Sequence, residues 1–358
     1  MKLKSLLLGS AAALITVPAV HAADAVIAEP EPNDHVQVCD MYGAGFFYIP
    51  GTETCLKISG ELRVQYNYRQ VDVGGNVPSA VLPDYEEEYG DGTWYARVNF
   101  DAREETDYGT LRSYIRTESK NGTNAGDESD LFVRDAYIEL GGLSVGYRTS
   151  RVELTGLPGQ MFDGVYYGGG RVMYADYTFA ANGFSVIAGI QLDNDDDGES
   201  IDLYIRPEYS SDMFTIGAVY GQDASEDNGA FGIYATFTPM EGLTVQGYYN
   251  HQTGETQFGS GVIADYDADD YDTWGIGASY DVTDDVNVAL GYYASENHKI
   301  TSIIDGSVIG LSDFQGYSFN LAWTVVPNLV MQLGYNHEES DDHDMEEDNF
   351  RVRIQRNF

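Results

Sequence analysis

The sequence predicts an all-β protein: a transmembrane antiparallel β-barrel of sixteen strands. Three observations lead to this fold class. Segments of about ten residues alternate between apolar and polar side chains, as strands with one apolar face do. The connections between these segments are short and long in turn. No stretch after residue 22 approaches the ~20 apolar residues that a membrane helix needs.

The first 22 residues have the pattern of a secretory signal peptide. Lys2 and Lys4 precede an apolar run, and the small-residue site Val20-His21-Ala22 follows it. An exported chain without a membrane helix is either soluble outside the cytoplasm or spans a membrane as a closed barrel. A barrel is the non-helical structure that satisfies every backbone polar group in lipid.

The composition favours β structure over disorder. The chain has 28 Tyr, 15 Phe and 40 Gly but 10 Pro. Aromatic side chains suit pleated surfaces, and Gly marks the turns between strands. The formal net charge is −39, yet the 13% aromatic content argues against a disordered chain, since disordered chains contain few aromatic residues.

Period-two alternation predicts sixteen strands. In residues 56–69, Leu62, Val64 and Tyr66 fall on one face, and Glu61, Arg63 and Gln65 fall on the other. The predicted strands are 56–69, 93–103, 110–118, 131–140, 143–149, 171–180, 184–192, 201–209, 213–222, 230–238, 243–252, 273–281, 286–295, 315–325, 329–337 and 349–358.

The connections indicate which kind of β protein this is. Alternate connections are tight turns, and those between them are longer and acidic or rich in Gly. Short turns at one end and long loops at the other are typical of outer-membrane barrels, whereas a soluble sandwich has no reason to sort its loops in this way. An even strand number also puts both ends of the barrel on the short-turn, periplasmic side.

The two ends of the mature chain resemble a known family. Residues 350–358 alternate, with Phe350, Val352, Ile354 and Phe358 on the apolar face. An N-terminal periplasmic or entry segment is predicted at 23–54, ahead of the barrel at 55–358. The block EPEPNDHVQVCDMYGAGFFYIPGTETCLKISGELR (29–63), which covers most of this segment and the start of the barrel, is similar to the entry segment of the rhizobial-type general diffusion porins of alphaproteobacteria.

The resemblance implies several properties. It implies sixteen-stranded homotrimers in the outer membrane of a Gram-negative bacterium, in contact with outer-membrane lipid and lipopolysaccharide. It also implies that Phe358 is the terminal aromatic residue read by the barrel-assembly machinery, although Arg356 departs from the apolar residue usual at its position. Cys39 and Cys55 are expected to form a disulfide in an exported chain, with two free thiols as the alternative.

Residues 150–170 form the connection after the fifth predicted strand, and in this family the loop at that place folds into the barrel and narrows it. Its glycines permit a tight backbone, its apolar residues can pack against the inner wall, and Glu153 and Asp163 supply acidic groups. The alternative is an ordinary external loop.

Arginines are expected to face that loop and form the basic side of the constriction. Strand parity places Arg63 and Arg97 in the lumen, and puts Arg112, Arg116 and Arg148 on polar faces. Arg134 is ambiguous, and Arg171 is assigned by the resemblance. Such an arrangement creates a transverse field that orients dipolar solutes. Alternatively, the arginines neutralise lumenal acids and hydrogen-bond the wall.

The predicted function is a passive water-filled channel for small hydrophilic solutes and ions, because sixteen strands enclose a lumen too wide for side chains to fill. We expect no enzyme activity, cofactor, metal or nucleic-acid partner. Ser144 matches a G-x-S-x-G pattern, but a turn followed by a strand is not a nucleophile elbow. The alternative is a non-transport barrel: a surface adhesin, a structural protein or a barrel hydrolase.

Charge patterning gives two further expectations. On the strand 131–140, Arg134 and the acids Asp135 and Glu139 lie on opposite faces, so at least one charge should point outward and be covered in a trimer by a neighbouring subunit. The acidic stretches 86–88, 193–197, 265–272 and 341–348 should make the outer mouth negative and the channel mildly cation-selective.

Overall fold

A computed structural model describes residues 37–73, 85–122, 131–154, 156–161, 170–195, 198–222, 229–253, 270–301, 308–340 and 345–358. It contains one short 3-10 helix, Asp40–Tyr42, and seventeen strands. The strands are β1 Phe47–Tyr48, β2 Cys55–Val73, β3 Tyr85–Thr106, β4 Gly109–Gly122, β5 Leu131–Leu140, β6 Leu143–Thr149, β7 Arg171–Ala181, β8 Phe184–Asp195, β9 Gly198–Ser210, β10 Phe214–Gln222, β11 Gly229–Met240, β12 Leu243–Thr253, β13 Asp270–Thr283, β14 Val286–Thr301, β15 Val308–Val326, β16 Leu329–Ser340 and β17 Met345–Asn357.

Strands β2 to β17 form one closed antiparallel barrel of sixteen strands. Each pairs with the next along the chain, and β17 closes the ring by pairing with β2, from Met345 opposite Val73 to Asn357 opposite Glu61. All sixteen predicted strands are present, so the predicted fold class is confirmed. No helix among the described residues is long and apolar enough to cross a membrane.

The barrel wall has an apolar outer face and a polar inner face. Leu62, Val64 and Leu290 point outward, with about half of each side chain exposed, whereas Gln65 and Asn250 point inward and are buried. A water-soluble protein buries its apolar face, and the reverse distribution is that of a barrel whose outside meets lipid.

Aromatic side chains form outward-facing groups near both ends of the wall. Phe184, Tyr209 and Phe214 pack together near the short-turn end. At the other end, Phe350 packs against Tyr68 and against the ring of Tyr335. Such belts mark the two membrane interfaces of outer-membrane barrels.

Several strands continue beyond their predicted ends. β2 reaches Val73 and β3 begins at Tyr85, so residues 86–88 pair with 70–72 of β2 instead of lying in a loop. β15 likewise begins at Val308, not near residue 315. The apolar alternation stops at the membrane surface, whereas the backbone ladder continues past it, so the sequence pattern ends earlier than the strand.

The prediction of an outward charge on β5 is wrong, because β5 contains a β-bulge at Arg134. Arg116 pairs with Asp135 and Thr117 pairs with Val133, which leaves Arg134 as the extra residue. A bulge shifts the alternation by one residue. Arg134 and Asp135 therefore both face the lumen: Arg134 donates to Glu118 over 2.9 Å, and Asp135 lies 3.2 Å from Arg116.

The N-terminal segment is fixed to the periplasmic end of the wall. A disulfide joins Cys39 to Cys55, the first residue of β2, which confirms the predicted pairing. Phe46 lies over the guanidinium of Arg103, and Tyr42 donates a hydrogen bond to Glu105 over 3.0 Å. Burial, followed by this hydrogen bond to a carboxylate, raises the pKa of Tyr42 to about 12.

Replacing both cysteines by serine is expected to release this segment while the barrel stays folded. The bond closes a short loop outside the barrel ladder, and such a crosslink is worth ~3 kcal/mol. Limited proteolysis with intact-mass detection should show faster cleavage before residue 55, and unboiled gel mobility should be unchanged. A variant whose barrel also unfolds would contradict this expectation.

Candidate functional site

Part of the connection between β6 and β7 lies inside the barrel. We call its described residues, 150–154 and 156–161, the lumenal segment. Val152, Leu154 and Leu157 are buried. They belong to one apolar cluster with inward-facing residues of β9 to β12, namely Tyr204, Val219, Ala230, Tyr234 and Tyr248. The predicted packing of this connection against the inner wall is therefore observed for these residues.

Hydrogen bonds attach the lumenal segment to strands far away in the sequence. Arg206 on β9 donates to the backbone carbonyls of Arg151 and Glu153, each over 3.0 Å. Gln246 on β12 donates to the carbonyl of Gly156 over 3.1 Å.

The far end of the segment is held by β15 and β17. Gln160 donates to the Ser318 hydroxyl over 2.7 Å, and the Met161 amide donates to the Asn320 side chain over 3.2 Å. Arg351 donates to the Met161 carbonyl. The segment thus follows the inner wall from β9 round to β17.

Glycines on the inner wall make room for this path. A Cβ at Gly291 would collide with the amide of Gln160, and one at Gly277 would lie 3.0 Å from the Cβ of Leu157. Gly159 adopts a φ of +73°, a left-handed conformation that favours glycine, and it lies against Ala289.

The predicted arginines line the opposite part of the wall, on β2 to β7, and most bind carboxylates there. Arg97 and Arg134 share Glu118, at 2.5 and 2.9 Å. The Glu118 side chain is 1% exposed, so it is buried between the two guanidinium groups.

The other predicted arginines follow the same pattern, with two exceptions. Arg63 lies 2.9 Å from Glu61, Arg116 lies 3.2 Å from Asp135, and Arg112 lies 2.9 Å from both Asp101 and Glu139. Arg171 lies 4.0 Å from Asp135 and donates to the Arg134 carbonyl over 3.0 Å. Arg148 has no carboxylate within 4.0 Å among the described residues.

These contacts are those of the alternative interpretation, in which lumenal arginines neutralise lumenal acids. Alternation predicted the inward direction of these arginines except Arg134 and Arg171, but it did not indicate that their partners would be neighbours on the same wall. The sequence analysis also missed Arg206 and Gln246, whose inward direction follows from alternation but whose contact with residues 151–156 requires the closed ring.

The acidic side of the predicted constriction is described in part. Glu153 lies in the lumenal segment, where its carbonyl accepts from Arg206. Asp163 lies outside the described residues. The predicted constriction by Glu153 and Asp163 stays a prediction.

Two further predicted residues have defined contacts. Phe358 extends the β17 ladder: its amide donates to the Gly60 carbonyl, and the Gly60 amide donates back, over 3.0 and 2.9 Å. Arg356 reaches the Asn328 carbonyl in a short turn over 3.3 Å. A charged residue on the outer face is accommodated there because it lies at the barrel end. Ser144 lies within β6, and its hydroxyl is 2.6 Å from that of Tyr174.

An apolar outer face, a polar lumen and an internal segment together define a class of protein, the channel-type outer-membrane β-barrels. The model of the family described as "Porin subfamily" matches residues 24–356. The chain belongs to this porin family, which confirms the resemblance seen in the sequence and places the protein in the outer membrane of a Gram-negative bacterium.

One relative is Porin Omp2b of Brucella suis, which is 39% identical over 211 residues. The matched region is 55% of this chain and 54% of the relative. The chain thus spans about half the length of the curated relatives it matches.

Solved structures share the fold at low identity. The outer membrane channel DcaP of Acinetobacter baumannii has a TM-score of 0.63 at 12% identity, covering 87% of this chain and 99% of that one. OmpT of Vibrio cholerae in its trimer form has a TM-score of 0.58 at 13% identity, covering 86% and 100%.

Proposed function

We propose that the protein is a passive, water-filled channel for small hydrophilic solutes and ions. The observation that carries this proposal is a closed sixteen-stranded barrel whose inner face is lined by charged and polar side chains. A barrel of this size leaves an aqueous path, and no reaction or cofactor is needed for diffusion through it.

Within this proposal the lumenal segment narrows the path. It lies along β9 to β17, so solutes pass between it and the arginine-bearing wall of β2 to β7. Its buried side chains and its hydrogen bonds at both ends support a fixed lining rather than a mobile flap. Glu153 and Asp163 are proposed to contribute the acidic side of the constriction.

We further propose a homotrimer, supported by the family and by the trimer form of OmpT among the structures that share the fold. An outward charge on β5 no longer argues for it, because the bulge turns that charge inward. Contacts with lipopolysaccharide and recognition of Phe358 by the barrel-assembly machinery belong to the same proposal and rest on the family resemblance.

Purified protein in a planar lipid bilayer is expected to give discrete current steps that scale with salt concentration. The wet lumen conducts ions without a gating ligand, so steps should occur in potassium chloride alone. Unboiled gel mobility verifies that the barrel is folded. Folded protein that leaves the bilayer silent would contradict the channel function.

A further inference from the structure

Arg148 differs from every other arginine in the molecule. The chain has 14 arginines, and all of them lie among the described residues. The other 13 each donate hydrogen bonds to a carboxylate, a carbonyl, an amide oxygen or a tyrosine hydroxyl. Arg148 has no such acceptor in the described part of the chain, so its N–H groups donate to none of the described residues.

Two tyrosine rings hold the Arg148 guanidinium in place. Its central carbon lies 5.1 Å from the ring centre of Tyr137 and 5.8 Å from that of Tyr174. Both rings are themselves fixed, because Tyr137 stacks on Tyr114 at 5.0 Å and the Tyr174 hydroxyl lies 2.6 Å from that of Ser144. Stacking on aromatic faces orients a guanidinium without occupying its hydrogen-bond donors.

The carboxylates near Arg148 are bound to other arginines. Asp135 lies 3.2 Å from Arg116 and 4.0 Å from Arg171, and Glu139 lies 2.9 Å from Arg112. Arg148 shares the inner face of β6 with buried Ser144, and it stands two residues before the lumenal segment begins. It is therefore a positioned cation in the lumen at the base of the segment that is proposed to narrow the path.

We propose that Arg148 is a docking site for the oxyanion groups of solutes passing through the channel, either a carboxylate or a phosphate. The planar guanidinium offers a fork of donors that matches two oxygens of such a group, whereas a spherical chloride ion cannot use the fork. This site rests on the proposed channel function and specifies the class of solute that the channel favours. Small organic acids and phosphorylated solutes interact with the lumenal wall at Arg148 more strongly than neutral solutes do.

The test measures the effect of inorganic phosphate and of acetate on channel current in potassium chloride. In the wild type, phosphate should lower the current or raise its noise in a saturable way, which yields a dissociation constant. Arg148→Gln should weaken that constant by about tenfold, the effect of losing one charge-assisted contact. Arg148→Lys, which keeps the charge but not the fork, should also weaken it.

Arg353→Gln is the matched control. It also removes one lumenal positive charge, on β17, where Arg353 donates to the side-chain oxygen of Gln65 over 3.0 Å. This variant should bind phosphate as the wild type does. If Arg148→Gln does not fold, as unboiled gel mobility would show, Arg148→Lys is compared with Arg353→Gln instead.

Three outcomes would overturn the site: conducting wild-type channels that do not respond to phosphate or acetate, an equal loss in Arg353→Gln, or an Arg148→Lys variant that binds phosphate as tightly as the wild type. Silent bilayers would instead count against the channel function itself, so the two failures are distinguishable.

Discussion

Replacing Ile354 by lysine is expected to destabilise the barrel by about 2–4 kcal/mol, the loss found when a basic residue lies at the bilayer midplane. Ile354 faces outward on β17, with 46% of its side chain exposed. It lies midway between Phe350 and Phe358, the outward aromatic residues near the two ends of the strand. Urea titration of folding into phospholipid vesicles, followed by tryptophan fluorescence, measures the change.

The adjacent residue gives the control. The Gln355 amide faces the lumen and donates to the Glu61 carboxylate over 3.4 Å. A lysine at this position meets water and an acidic partner, so Gln355→Lys should stay within about 0.5 kcal/mol of the wild type, as surface changes do. Equal losses at residues 354 and 355 would refute the assignment of the two faces.

The sequence was sufficient to predict the wall of the barrel, because period-two alternation is a local property. Residues 350–358 show this. Phe350, Val352 and Ile354 face outward as predicted, while Arg351 and Arg353 face inward and bond Asn67 and Gln65 of the first barrel strand. Alternation assigns each side chain to the inner or the outer face without any knowledge of the partner strand. The length of each connection then shows at which end of the barrel that connection lies.

The bulge on β5 was missed although the sequence contains a signal for it. Leu131 and Val133 are outward at odd positions, whereas Ala136, Ile138 and Leu140 continue at even positions, so the apolar parity changes between residues 133 and 136. Assuming one unbroken alternation along β5 predicted a lipid-facing charge that the protein does not have. A change of parity within a strand is the pattern that a bulge leaves.

The contacts of the lumen could not be predicted in this way. Arg206 binds carbonyls at residues 151 and 153, and Arg351 binds the carbonyl of Met161. Alternation says that both arginines face inward, but the closed ring decides which groups they meet across the lumen. The same holds for Glu118, whose two arginine partners come from the strands on either side of its own.

Deleting residues 152–161 is expected to raise single-channel conductance well above that of the wild type, because conductance grows with the free cross-section of the path. The deletion removes the part of the lumenal segment that covers Tyr204, Tyr234 and Tyr248. β6 ends at Thr149 and β7 begins at Arg171, so the barrel ladder should stay intact. Bilayer recording in molar potassium chloride measures conductance, and liposome swelling with sugars of increasing size measures the exclusion limit.

A deletion of equal length in another long connection, residues 255–264 between β12 and β13, is the control and should leave both quantities near the wild type. Folded channels that lack residues 152–161 yet conduct and exclude sugars as the wild type does would show that this segment does not set the width of the path.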